Sequence, residues 1–222
     1  MAALSAAPGC SVRESSSPPD FPFAFAACRS YLLLMPMEPL PDLAPLSLAD
    51  IARLHAERRL PPVEQWNPAH CGHSDMRIAR DGTWFHQGSP IGREAMVRLF
   101  STILRRESDG SHVLVTPVEK LTIDVEDAPF LAVEVKSEGE GRDRKLAFRL
   151  NTGDIVAAGP DNALTIRQGE DGPHPYLHVR GGLEALVARS VYYELVNLAL
   201  DDATDPVGLW SDGAFFPLGD PA

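Results

Sequence analysis

The sequence predicts an α+β protein with a duplicated hairpin-plus-helix core, its N-terminal subdomain packed on a C-terminal β-rich domain that carries one long helix. Three observations predict it. Asp81-Gly82-Thr83-Trp84-Phe85-His86-Gln87-Gly88 and Asp212-Gly213-Ala214-Phe215-Phe216-Pro217-Leu218-Gly219 share the pattern Asp-Gly-x-aromatic-Phe-x-x-Gly. Each follows a short alternating stretch and so reads as a β-hairpin, because both central positions of a type I′ turn need positive φ, which Gly supplies freely and Asp tolerates. From His112 onward the apolar period changes from helical to two. Finally, Leu183 to Leu200 offers Leu186, Val187, Val191, Leu195 and Leu198 for burial and reads as the long helix.

Taken in order, residues 1–45 are rich in Ala, Ser and Pro without an amphipathic period and predict a disordered extension. Met35 and Met37 stand at its edge as alternative starts. The apolar stretch Phe21 to Met35 is broken by Pro22 and Arg29, too short for a membrane span and without the charges or cleavage site of a signal peptide. A subdomain over 46–125 opens on a short helix, with Ser47 as cap, Leu48, Ile51 and Leu54 as its apolar face and Pro61-Pro62 as its stop. After the first hairpin, Ser89 as N-cap and Pro90 at the first helical position predict a second helix. Its stripe, Ile91, Ala95, Leu99 and Ile103 flanked by Met96, Phe100 and Leu104, should face the core.

About six strands follow, at Val113–Val115, Leu121–Val125, Leu131–Val135, Leu146–Leu150, Leu164–Ile166 and Leu177–Val179, separated by Gly, Asp, Asn and Pro clusters. The second domain, 126–222, takes in most of these, the long helix and the closing hairpin.

A chain of 222 residues buries roughly 70–75% of its unfolded surface and needs no staples. A net charge of −11 and a pI near 5.0 argue against nucleic acid or an anionic membrane as partners. Cys10, Cys28 and Cys71 are too few for a disulfide scaffold and suit a cytoplasmic location. Charge is unevenly spread: Met76 to Arg106 holds six arginines against two acids, a balance of +4 that leaves the remainder at −15. Such a segment either binds an anion or pairs with the acidic half, and pairing is the favoured reading.

His70, Cys71, His73 and Asp75 lie within six residues, but a zinc site draws ligands from two segments and no second cluster is visible, so no metal is expected. Gly88-Ser89-Pro90-Ile91-Gly92-Arg93 enters a helix and lacks the spacing of a phosphate loop; a plain capped helix is favoured over an anion pocket. Thr116 to Lys120 reads as a turn between strands in preference to a bulge at a site. Tyr192-Tyr193 could stack a planar ligand, though one of such a pair usually faces the core. No Gly-x-Ser-x-Gly, His-Glu-x-x-His or Gly-x-Gly-x-x-Gly is present, and no catalytic residue or cofactor is predicted.

The wording of several segments is specific. Cys71-Gly72, Asp75-Met76-Arg77-Ile78, Arg80 to Phe85, Gly88 to Ile91 and Val97 to Ser101, then Leu114 to Lys120, Val125 to Phe130, Leu183 to Leu186, Tyr192 to Val196 and Gly208 to Ser211 resemble, in order, the bacterial domain-of-unknown-function family 1285. The resemblance runs from about Leu60 to Gly219, with the N-terminal extension outside it and Asn162-Ala163 where the family pattern has His-Pro. It implies a duplicated core, a C-terminal domain like a pleckstrin-homology fold, and an interdomain groove for a nucleotide-like ligand with a signalling role.

The expectation is therefore a non-enzymatic module that senses a small anionic, nucleotide-like molecule at the seam between subdomains. Arg77, Arg93 and Arg98 would supply charge, Thr116 and Glu119 hydrogen bonds, and Trp84 or Tyr193 a stacking face. The alternative is an adaptor that grips a protein partner through the pleckstrin-homology-like domain.

Overall fold

Two six-stranded mixed sheets carry the chain, and both have the same strand order. The computed structural model describes residues 60–169 and 172–219. The extension over 1–45 and the helix expected from Ser47 lie outside the described residues. In the first sheet, β1 (His70–Ile78), β2 (Trp84–His86) and β3 (Ser89–Pro90) form one antiparallel meander. β4 (Leu104–Arg106), β5 (His112–Val115) and β6 (Glu119–Val125) form another. The two join through parallel pairing of β1 with β6, giving the order β3-β2-β1-β6-β5-β4.

The second sheet is built from β7 (Phe130–Glu138), β8 (Lys145–Leu150) and β9 (Ile155–Ala157), with β10 (Leu164–Gly169), β11 (Gly172–Arg180) and β12 (Leu183–Val187). Parallel pairing of β7 with β12 gives β9-β8-β7-β12-β11-β10. α1 (Glu94–Thr102) crosses between the meanders of the first sheet, and α2 (Arg189–Asp201) follows the second. β13 (Gly208–Ser211) and β14 (Ala214–Pro217) close the described chain as a separate hairpin.

The chain is thus mostly β, with two α-helices among the described residues. The two Asp-Gly segments both make hairpins, but not equivalent ones: β1–β2 belongs to the first sheet, whereas β13–β14 stands apart after α2. Their turns also differ. Asp212 (φ 49°) and Gly213 (φ 79°) make the expected two-residue turn of type I′. The first loop has three residues, with Gly82 alone at positive φ (81°) and the Asp81 carboxylate accepting the Thr83 N–H at 2.9 Å. Gly82 is required for a second reason, since a Cβ there would stand 2.6 Å from Asn151 Nδ2, which donates to the Gly82 carbonyl at 3.1 Å. The other Asn151 atom, Oδ1, accepts the Leu131 N–H, so this one side chain pins the first hairpin to the second sheet.

Two helix boundaries differ from expectation. Ser89 and Pro90 pair with β2 as a two-residue edge strand, and the Ile91 N–H donates to the Trp84 carbonyl at 2.8 Å. Proline is tolerated on an edge because its missing N–H faces away from the ladder. The helix begins at Glu94, after Arg93, which makes no side-chain cap. The expected long helix divides in two. Leu183-Glu184-Ala185-Leu186-Val187 alternates buried and half-buried as central strand β12, and only then does α2 begin, burying Val191, Leu195 and Ala199. Five residues of that kind satisfy either period, and parallel pairing with β7 decides for the strand.

One apolar core joins the sheets, from Ile78 and Trp84 of the first to Phe130, Phe148, Leu177 and Leu195 of the second half. The arginines of the cationic segment are absorbed mainly by pairing. Arg77 pairs with Glu126, and Arg80 Nε lies 3.2 Å from Asp127. Arg98 reaches Glu94 one turn away, and Arg105, 6% exposed, holds Glu107 at 2.6 Å.

Candidate functional site

Among the described residues, two cavities bear on the candidate site. The first, at the seam, measures about 220 Å³ and lies where the turn after β1 meets β11, β12 and the start of α2. Arg80, His174 and Arg189 bring its polar groups, and Pro173, Pro175 and Tyr192 its flat apolar faces. Its shape follows from the strand–helix junction just described. Ala188 follows β12 with its N–H bound to the Ala132 carbonyl and caps α2 with no side-chain hydrogen bond of its own. Arg189 makes no ion pair among the described residues, while Arg80 is shared between Asp127 and the His174 ring, 3.0 Å from Nε2. The Tyr192 hydroxyl donates to the Leu218 carbonyl at 3.0 Å, and burial pushes its pKa up. The neighbouring Tyr176 phenol donates to Asp127 at 2.8 Å and is raised first by burial and then by that bond. Both phenols therefore stay protonated through the neutral range. Free amides and the positive end of a helix dipole beside Arg189 can hold a phosphate or carboxylate, and Tyr192 offers a ring beside it.

The second cavity, about 360 Å³, lies wholly within the first half, between the first sheet and α1. Met76, Ile91, Met96, Phe100, Leu114 and Leu121 form its apolar body. His73, Asp75, His86, Gln87, Thr116 and Glu119 form its polar edge. Its mouth is cut by a break in the β1–β6 ladder between His73 and Arg77. There the Ser74 hydroxyl donates to the Thr122 carbonyl at 2.7 Å, and Asp75 takes φ 53°. Across the mouth Gln87 takes φ 49°, its N–H donating to the Asp75 carbonyl at 2.9 Å.

The residues singled out from sequence fall in different places. Thr116 and Glu119 line the second cavity, with the Thr116 hydroxyl accepting the Glu119 N–H at 3.1 Å inside the β5–β6 turn. Trp84 is 1% exposed and stacks on Phe100 at 6.4 Å, so it supports that cavity from behind, and its Nε1 finds no acceptor among the described residues. Arg77 lies over the Phe85 ring at 4.3 Å and is paired with Glu126. Arg93 and Arg98 sit at and beyond the start of α1, and Tyr193 points outward at 56% exposure. None of these seven lines the seam cavity.

Arg80, His174, Arg189 and Tyr192 do line it; of these, His174 and Arg189 carried no signal while 183–200 read as unbroken helix. An alternation recognised at 183–187 would have put a helix start, and with it Arg189, at the seam. Of the residues weighed and set aside as metal ligands, His73 has its Nδ1 3.2 Å from the Asp75 carboxylate.

Residues 61–128 match the N-terminal domain, and residues 129–218 the C-terminal domain, of the family described as domain or protein of unknown function DUF1285. The crystal structure of a DUF1285 family protein from Silicibacter pomeroyi DSS-3 is 49% identical with a TM-score of 0.69, over 79% of this chain and 96% of the other. A DUF1285 family protein from Shewanella baltica OS155 is 27% identical with a TM-score of 0.45, over 58% of this chain and 96% of the other. No curated protein matches the chain. Two domain matches that together span residues 61–218, and a near-half-identical relative of the same description, lead to one conclusion: the chain belongs to the DUF1285 family.

Proposed function

We propose that this protein is a non-enzymatic module that binds a small anionic, nucleotide-like molecule at the seam between its halves, in a signalling or regulatory role. The observation that carries this reading is the uncapped start of α2 opening into a cavity that Arg189, Arg80 and His174 also line. The anionic group sits at the α2 amides and Arg189, and a planar group lies against Tyr192. As part of the same reading, the common strand order of the two sheets marks a duplicated core, and the second sheet with α2 is its pleckstrin-homology-like member.

Thermal unfolding against a panel of nucleotides and simple phosphates tests the proposal. A ligand at a hundred times its dissociation constant adds about 2.7 kcal/mol, or a midpoint rise of roughly 5–10 °C at this chain length. Arg189→Ala should abolish most of the rise while leaving the ligand-free midpoint within about 2 °C, because exposed side chains contribute little to folding. A panel without any shift would overturn the reading.

A second reading, an adaptor for a protein partner, has its own observation. Tyr193 and Leu200, 56% and 61% exposed, lie two turns apart on the outward face of α2. Copurification of one stoichiometric partner, lost on Tyr193→Ala and Leu200→Ala, would favour it over the seam ligand.

A further inference from the structure

We infer that the cavity between the first sheet and α1 is a second binding site, for a small molecule with an apolar body and a cationic, amine-type head. Two independent observations converge on it. The first is an apolar face that the described residues leave unfilled. α1 carries Met96 and Phe100 on the side that meets the sheet, yet Ser101 is its only buried residue, and those apolar side chains line about 360 Å³ of open volume. A volume of that size falls within the range that holds small ligands.

The second is the sign of the polar edge. No lysine or arginine lines the cavity, whereas two carboxylates do, from Asp75 and Glu119. Asp75 lies against the His73 ring, with Nδ1 3.2 Å from its carboxylate. Glu119 is only half-exposed, and its carboxylate makes no ion pair among the described residues. Nearby Lys120 is directed to Glu107, 3.6 Å away. A carboxylate that is acceptor-only and partly withdrawn from water is stabilised by a charged donor brought by a ligand, and it repels an anionic head.

This site is separate from the seam cavity, with no lining residue in common. The test uses three probes of one body, 3-phenylpropylamine, 3-phenylpropanol and 3-phenylpropanoate, titrated at pH 8, above the usual imidazole range. Methyl-labelled methionine spectra of the full chain report occupancy, because Met76 and Met96 line the body of the cavity. The amine should shift those two methyl signals and bind about ten-fold or more tighter than the carboxylate, the scale of one charge-assisted hydrogen bond. Glu119→Gln, at the half-exposed first position of β6, should bring the three probes within about three-fold of one another while the carboxylate-free binding of the alcohol is unchanged. Equal or tighter binding of the acid, an amine preference that survives Glu119→Gln, or no shift at Met76 and Met96 with any probe would each overturn the inference. Arg189→Ala should leave all three affinities unchanged, so the outcome is independent of the seam.

Discussion

Arg144, 5% exposed, donates from Nη1 to Ser137 at 2.6 Å and grips Asp202 two-fold, with Nη2 at 2.7 Å and Nε at 3.2 Å. The pair fastens the end of α2 to the lead-in of β8. Removing one partner of such a pair strands a charge out of water, so Asp202→Ala should cost roughly 3–5 kcal/mol in urea denaturation. His112 makes a different prediction. Burial, then the Arg106 charge, hold its pKa below the ordinary 6.5. The unfolded chain therefore binds the proton more readily than the folded one. Stability from this group is complete above about pH 6.5 and is lost as pH falls through the lower folded value. Urea midpoints measured from pH 7.5 to 5 should decline, and His112→Gln should flatten part of that decline. An unchanged pH slope in the variant would remove the assignment. At this scale the sequence already told of some partners: six arginines in an acidic chain favoured pairing, and Arg77 and Arg80 meet Glu126 and Asp127. It could not tell that Glu119 would face a cavity with no ion-pair partner among the described residues, because that depends on where Lys120 and Arg77 turn.

The closing hairpin shows how an element is held by very few groups. Ser211, fully buried, accepts the Leu146 N–H at 2.9 Å and donates to the Ala158 carbonyl at 2.7 Å. One hydroxyl thus completes two strand ends of the second sheet. Ser211→Ala leaves both backbone groups without a partner, and we expect a loss of about 2–3 kcal/mol together with faster amide exchange at Leu146. The elements most legible from sequence are those whose period is long or whose turns are chemically specific: β5, β6, β8 and the Asp212-Gly213 turn. The least legible are short segments that satisfy both periods. Leu183–Val187 and Leu104–Arg106 each sit beside a helix and were continuous with it in pattern, and only pairing with β7 and β5 assigns them to strands. Helix α1 is the reverse case: its stripe was plain, but what that stripe faces is a cavity as well as a core.

Across the whole molecule, one core runs through both sheets, and Asn151, Arg77 and Arg80 tie the first hairpin to the second half and to the 126–127 connection. The halves should therefore unfold together. Calorimetry should show a single transition with equal calorimetric and van't Hoff enthalpies, and Trp84→Ala, which empties a site at the centre of that core, should lower it as one peak by about 3–5 kcal/mol. Two resolved transitions would mean that the halves are energetically separate.

The sequence alone determined most of the strands, both Asp-Gly hairpins and the family, since each rests on local spacing or on ordered motifs. Tertiary structure alone decided that the two Asp-Gly hairpins are not equivalent, where the helix before Asp202 begins, and which polar side chains share a cavity. The physical reason is that strand pairing and burial are non-local. Five residues of mixed period become a central strand, and a glutamate comes to line a cavity, only through segments far away in the chain.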